Sequence, residues 1–148
     1  MARRRHWRLV IDTMAVIRGA RAFRQAPPEP TTAERRLILG WIEDDEVFDW
    51  LYNQLILDEY RAILGRLKVP AHASGRFINL LRQEGTEVEV RNLGRFSPDP
   101  QDDPFYHCAI AGHADYIVTD NTADFPPPKG RKKPEIITPA EAVVRLRL

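Results

Sequence analysis

Two short, unbroken apolar runs constrain this chain more than any other feature: Leu9-Val10-Ile11, closed by Asp12, and Tyr116-Ile117-Val118, closed by Thr119. A strand covered on both faces reads as a continuous apolar run without alternation, which is the situation of an inner strand in a parallel sheet. The segments between them carry a different period. Helical patterning runs from Ala33 to Ile42. It returns with Ile56, Tyr60, Ile63, Leu64 and Leu67 until Pro70 stops it, and again with Phe77, Ile78, Leu80 and Leu81 until Gly85. Val47 to Tyr52 reads as a second strand, and the alternating stretch Thr86 to Val90 as a strand near a sheet edge. Beyond the turn-rich segment Ser97 to Pro104, Phe105 to His113 reads as a helix. Glu135-Ile136-Ile137 is a last short strand, and Thr138 with Pro139 opens a final helix as cap and first residue. Strands alternating with helices predict an α/β fold with a parallel sheet and helices on both faces.

At 148 residues and 17.1 kDa the chain matches one domain spanning 1–148, long enough to bury a core. The proline-rich stretch Gln25 to Thr32 is therefore a loop, not a linker. Apolar residues make up 43% and charged residues 29%, a balance that excludes the disordered and membrane classes, and no apolar run approaches the roughly 20 residues a membrane helix needs. The basic start is followed by an apolar stretch that Asp12 interrupts, without a small-residue cleavage site, so a cytoplasmic location is expected. The lone Cys108 fits a reducing compartment and lacks neighbours at zinc-ligand spacing, so a bound metal should be a hard, oxygen-ligated one. Net charge is only +1, but its distribution is uneven: Arg3, Arg4, Arg5 and Arg8 crowd the start, Lys129, Arg131, Lys132 and Lys133 form a second block, and acids gather at Glu43 to Glu46.

Acids at strand ends and helix starts carry the chemical argument. Ligands of open parallel sheets bind beyond the carboxyl ends of the strands, where Asp12 stands, although an Asp there also suits the cap of the next helix. In the second helical segment, a wheel at about 100° per residue puts Glu59 at the rim of the apolar stripe and Asp58 nearly opposite it. An ordinary surface Glu pairing with Arg66 is the competing explanation. Asp103 precedes Pro104 and is the expected cap of its helix, which leaves Asp102 uncommitted, with Asp99 further back in the loop. The segment after Val118 offers Thr119, Asp120, Asn121 and Asp124, where a turn-stabilising role competes with a chemical one. Such acids on one sheet edge repel one another, and Mg²⁺ or Mn²⁺ is the usual counter-charge. His107, Cys108 and His113 are expected to be packing or surface residues, and Trp41 and Trp50 core aromatics, unless one is exposed to stack a base.

The segments Leu9-Val10-Ile11-Asp12-Thr13, Ile56-Leu57-Asp58-Glu59-Tyr60-Arg61-Ala62-Ile63-Leu64, Asp99-Pro100-Gln101-Asp102-Asp103-Pro104-Phe105 and Ala114-Asp115-Tyr116-Ile117-Val118-Thr119 followed by Asn121, Asp124, Phe125 and Pro126 resemble the four acid-bearing segments of PIN-domain nucleases. The likeness is to the bacterial, VapC-like branch that serves as the toxin of type II toxin–antitoxin systems, and Glu135-Ile136-Ile137-Thr138-Pro139 resembles its last strand and helix. The resemblance implies a three-layer α/β/α fold and cleavage of single-stranded RNA dependent on Mg²⁺ or Mn²⁺. The acids would be Asp12, Glu59, Asp102 and Asp124, the last preferred to Asp120 by this resemblance. An antitoxin partner and a homodimer are also implied. Two residues depart from the family pattern: Met14, where Asn, Ser or Thr is usual, and Gln54, where Ser is common.

On this reading the four acids hold one or two divalent ions, with Asp12 central and Glu59 as proton acceptor or ligand to a water. Asp103, Thr119 and Asn121 support them, and Lys129, Arg131, Lys132 and Lys133 meet phosphate. The alternative from another class is a PIN-fold RNA-binding or protein-interaction module with a weakened site, for which Met14 speaks. An aspartyl phosphatase would need a second Asp two residues after Asp12, and Met14 stands there instead.

Overall fold

Five strands lie side by side in the order β3-β2-β1-β4-β5, every neighbouring pair parallel. The computed structural model describes residues 6–21, 32–44 and 46–148. Arg3, Arg4 and Arg5, the proline-rich stretch up to residue 31, and Asp45 lie outside the described residues. The strands are β1 (Trp7–Ile11), β2 (Phe48–Tyr52), β3 (Thr86–Glu87), β4 (Tyr116–Val118) and β5 (Glu135–Ile137). The described helices are α1 (Thr13–Arg21), α2 (Ala33–Glu43), α3 (Gln54–Arg66), α4 (Ala71–Glu84), α5 (Asp103–Ala111) and α6 (Pro139–Leu146), giving the expected three-layer α/β/α arrangement. None of them is long and apolar enough to cross a membrane.

The central position of β1 follows from its composition. Leu9, Val10 and Ile11 are wholly buried, and the strand pairs on one side with β2, Leu9 opposite Trp50, and on the other with β4, Ile11 opposite Val118. A strand with two strand neighbours and a helical layer on each face has no solvent side, so each residue gains by being apolar. Trp41 and Trp50 meet edge to face at 5.0 Å, and Trp50 touches Tyr60 at 6.3 Å, so both tryptophans are core residues and neither is available to stack a base. The thiol of Cys108 is also buried in the core and pushed up to about 12 by that burial.

Local signals set the helix starts. Asn53 caps α3 by accepting from the Ile56 N–H at 2.9 Å, Thr32 caps α2 through the Arg35 N–H, and Thr138 and Glu141 form a capping box on α6. Each such cap stabilises its helix by about 1 kcal/mol. Several boundaries differ by one or two residues from the sequence expectation, as where α5 runs Asp103–Ala111 and not Phe105–His113, and two differ by more. The helix ending at Gly85 begins at Ala71, because its first turns are small, polar and exposed and leave no apolar stripe to read. The edge strand is only Thr86–Glu87, since beyond Val88, whose N–H reaches the Tyr52 carbonyl at 2.7 Å, no partner strand remains.

The order of the strands also locates the site. The chain runs from β1 outward through β2 to β3, then crosses back to place β4 on the other side of β1. Succession therefore reverses between β1 and β4, and the crevice at their carboxyl ends is where such sheets take ligands.

Candidate active site

Asp12 and Thr119, the residues that directly follow β1 and β4, face each other across that crevice. The Asp12 N–H donates to the Val118 carbonyl at 2.8 Å, and the Thr119 hydroxyl donates to Asp12 Oδ2 at 3.0 Å. Asp12 is only 8% exposed, and burial raises its carboxyl to about 6 against the opposing bonds from Thr119 and the Thr13 backbone, with Glu59 and Asp120 adding repulsion. Behind it, the hydroxyl of Tyr60 donates to the Ile11 carbonyl, which fixes the end of β1 to α3.

Glu59 reaches this point from the second turn of α3, where it is half-buried and accepts a hydrogen bond from the Thr13 hydroxyl. Asp58 is exposed and takes the Gln54 amide at 2.8 Å. The two adjacent acids thus divide as the wheel predicts, and no Glu59–Arg66 pair forms. Sequence reasoning assigns Thr13 no role of its own. Its signal is its place next to an acid at a strand end, where a hydroxyl can tie two carboxylate-bearing elements together.

Asp102 ends a short 3₁₀ turn (Pro100–Asp102) at the head of α5. Among the described residues its carboxylate has no hydrogen-bond or salt-bridge partner, and it lies within electrostatic reach of Asp12, Asp99, Glu59 and Asp124. Burial first, then those acids in that order, raise it to about 6. Asp103 does not cap α5 as expected. Its Oδ1 accepts from the N–H groups of Phe96 and Ser97 at 2.9 and 2.8 Å, and its Oδ2 meets Arg95 Nε at 3.0 Å. The backbone of the preceding loop offers it two donors, one buried and one half-buried, that a cap would leave unmet.

The segment after β4 is held by the Thr119 hydroxyl, which accepts from the Asn121 N–H at 3.0 Å. Asn121 in turn donates its side-chain amide to Asp124, which stands exposed at the end of a second 3₁₀ turn (Thr122–Asp124), so this acid has the turn-stabilising bond as well as electrostatic reach to Asp102. Asp120 lies within electrostatic reach of Asp12 but is paired with Arg18 at 2.8 Å.

One member of the basic block, Lys133, lies elsewhere. Because β5 runs parallel to β4, the chain between Asp124 and Glu135 must travel from the carboxyl edge of the sheet to its amino edge. There Lys133 pairs with Asp115, which immediately precedes β4, roughly 13 Å of strand from Thr119 at about 3.3 Å per residue. The structure therefore brings Asp12, Glu59, Asp102, Asp124, Thr119 and Asn121 to one edge, and removes Lys133 from it. Lys129, Arg131 and Lys132 are exposed on the connecting segment. His107 is buried and bonded to the Gly94 carbonyl at 2.6 Å, while His113 is exposed, as expected of packing and surface residues.

Ion pairing separates these acids into two sets. Asp103, Asp115 and Asp120 each have a basic partner, whereas Asp12, Glu59, Asp102 and Asp124 have none among the described residues. No three of these side chains close around a common point tightly enough to form a ready metal cage among the described residues. What they form is an open ring of uncompensated carboxylates. The fit to a hard cation rests on that deficit of positive charge and on an all-oxygen donor set, including one carboxylate without a protein partner.

A parallel α/β sheet with unneutralised acids at its switch point has its polar site where such sheets take ligands. The sequence pattern of the PIN domain matches residues 8–123, and the chain belongs to the PIN-domain family. PIN domains are generally nucleases, that is hydrolases. The match includes Asp12, Glu59 and Asp102 and stops one residue before Asp124. No curated protein matches the chain.

Proposed function

We propose that this protein is a divalent-metal-dependent ribonuclease that cleaves single-stranded RNA, acting in the cytoplasm as the toxin of a type II toxin–antitoxin pair. The observation that carries the nuclease chemistry is the absence of any basic partner for Asp12, Glu59, Asp102 and Asp124 among the described residues, beside three acids that each have one. Asp12 and Asp102 would hold the cation, Mg²⁺ or Mn²⁺, with Asp124 and Glu59 completing its surroundings through water. When bound, the ion supplies positive charge to the scissile phosphate and acidifies water for attack. The protein's own part is positional. Thr119 holds Asp12 in place through Oδ2, and Thr13 aims the Glu59 carboxylate, which would take a proton from the attacking water as the bond from phosphorus to the leaving oxygen breaks. The toxin role, an antitoxin partner and a homodimer rest on the family resemblance.

Met14 favours a second reading, a PIN-fold binding module with weakened catalysis. It is 43% exposed at the start of α1, two residues after Asp12, and brings no oxygen to the site. One assay separates the two: cleavage of a single-stranded RNA with and without Mn²⁺, by the native chain and by Asp12→Asn. A nuclease shows Mn²⁺-dependent cleavage that falls at least about a hundredfold in the variant. No cleavage by the native chain at millimolar Mn²⁺, with RNA binding retained, selects the module.

A further inference from the structure

A second feature lies beside the acids. A groove of about 440 Å³ is lined by Leu55, Val90, Arg91, Arg95, Pro100 and His107, among others. It shares two elements with the acidic ring. Leu55 stands one turn before Glu59 on the same face of α3, and Pro100 belongs to the 3₁₀ turn that ends in Asp102. Its floor is apolar and open to solvent: Leu55 is 48% and Val90 45% exposed, large for residues of this type.

Its rim carries two arginines, each facing an acid. The side chain of Arg91 is 63% exposed, and its one salt-bridge partner among the described residues is Glu89 at 3.6 Å, a surface pair of little strength that a phosphate can displace. Arg95 is 64% exposed but committed: its Nε pairs with Asp103, which also lines the groove, and its Nη2 donates to the Ser97 carbonyl at 3.4 Å, so Arg91 is the cation free to exchange its partner. The loop that carries them has no regular secondary structure, yet its far end is fixed. Phe96 stacks on Tyr106 at 5.4 Å, the Gly94 carbonyl takes His107, and Asp103 takes two loop N–H groups. Binding there does not have to order that end of the loop first, so less affinity is lost to entropy.

We infer that this groove is a nucleotide subsite for single-stranded RNA, seating the nucleotide next to the scissile phosphate with its base on Leu55, Val90 and Pro100 and its phosphate on Arg91. The inference rests on the nuclease reading and deepens it. Apolar contact suits the face of an unpaired base, and an exposed arginine with a weak, displaceable partner beside the carboxylates gives a polyanion its hold where they repel it. A duplex keeps its bases stacked and cannot offer one to the floor.

The test is binding, separate from cleavage. A fluorescein-labelled single-stranded RNA of about twelve nucleotides is titrated by anisotropy in EDTA against the native chain, Leu55→Ser, Arg91→Glu and Arg82→Glu. Arg82 is an exposed cation in the last turn of α4, away from the groove. Arg91→Glu is expected to weaken binding about tenfold at low salt and to lower the salt slope by about 0.7. Leu55→Ser is expected to weaken it about fivefold with the slope unchanged, and Arg82→Glu to leave affinity within about twofold. Equal affinity for the native chain, Leu55→Ser and Arg91→Glu overturns the subsite and leaves the groove to a protein partner, while Mn²⁺-dependent cleavage lost in Asp12→Asn would still uphold the nuclease. Affinity lost in both groove variants of a chain that never cleaves upholds the subsite and sinks the catalytic reading instead.

Discussion

The hydroxyl of Thr13 donates to the carboxylate of Glu59, joining the first residue of α1 to the second turn of α3 across 46 positions of sequence. One side chain thereby couples the residue after Asp12 to the acid proposed to accept the proton. Thr13→Val keeps the shape and removes the donor. It is expected to reduce the maximal rate of Mn²⁺-dependent cleavage about tenfold at unchanged KM and to shift the pH profile of the rate, with Thr13→Ser restoring most of both. A purely structural Thr13 would lower thermal stability and leave the pH profile where it was.

The carboxyls of Asp12 and Asp102 ionise near pH 6 in the folded chain, above the value of about 3.9 that an unfolded Asp has. The folded state therefore binds more protons than the unfolded state between those values, so without a cation stability falls as pH rises from about 4 to about 6. The cost for buried Asp12 alone is about 3 kcal/mol at pH 7, at about 1.4 kcal/mol per pH unit. In EDTA the Tm is expected to climb as pH is lowered from 7 to 5. Millimolar Mn²⁺ should raise it at pH 7 by several degrees and hardly at all at pH 5, where protons hold the site. A Tm independent of both pH and Mn²⁺ would remove the cation from this edge.

For the same reason Asp12→Asn is expected to stabilise the metal-free chain at pH 7, by about 1–3 kcal/mol, while abolishing cleavage. Urea unfolding in EDTA gives the sign directly.

Two adjacent acids should respond in opposite ways. Asp102→Asn removes repulsion and no protein contact, so stability should hold or rise while cleavage falls. Asp103→Asn loses the ion pair to Arg95 and weakens two bonds to the Phe96 and Ser97 N–H groups, and should cost about 2 kcal/mol. Equal losses of stability would mean that the two carboxylates share one structural role.

Gly19→Ala sets two effects against each other. Alanine in a helix is better than glycine by about 1 kcal/mol. A Cβ at Gly19, however, would lie 2.6 Å from Ile38 Cγ1 and 2.9 Å from the Glu34 carbonyl oxygen, and that backbone cannot rotate aside. Overpacking of this kind costs about 1–3 kcal/mol, so a net destabilisation of about 1 kcal/mol is expected by thermal melting.

Much of this was legible in the chain itself. Leu9-Val10-Ile11 and Tyr116-Ile117-Val118 can satisfy their apolar character only as inner strands, and the helical period of Ile56 to Leu67 fixes which of Asp58 and Glu59 turns inward. Asn53, Thr32 and Thr138 begin helices through bonds spanning three residues, so a local reading reaches them. Local reading failed where the deciding partner was distant. Asp103 has the local signature of a cap, but its bonds go to the N–H groups of Phe96 and Ser97, the second of which would otherwise be buried without a partner. Lys133 follows the fourth acid closely in sequence and ends at the other edge of the sheet, because β5 must start where β4 starts. Sequence alone determined the strands, the inward acid of α3 and the oxygen-rich character of the site, since all three follow from period and residue type. Only the tertiary structure decided which acids are neutralised by a basic partner and which are left to repel one another, because ion pairing depends on distances between elements that no local period encodes.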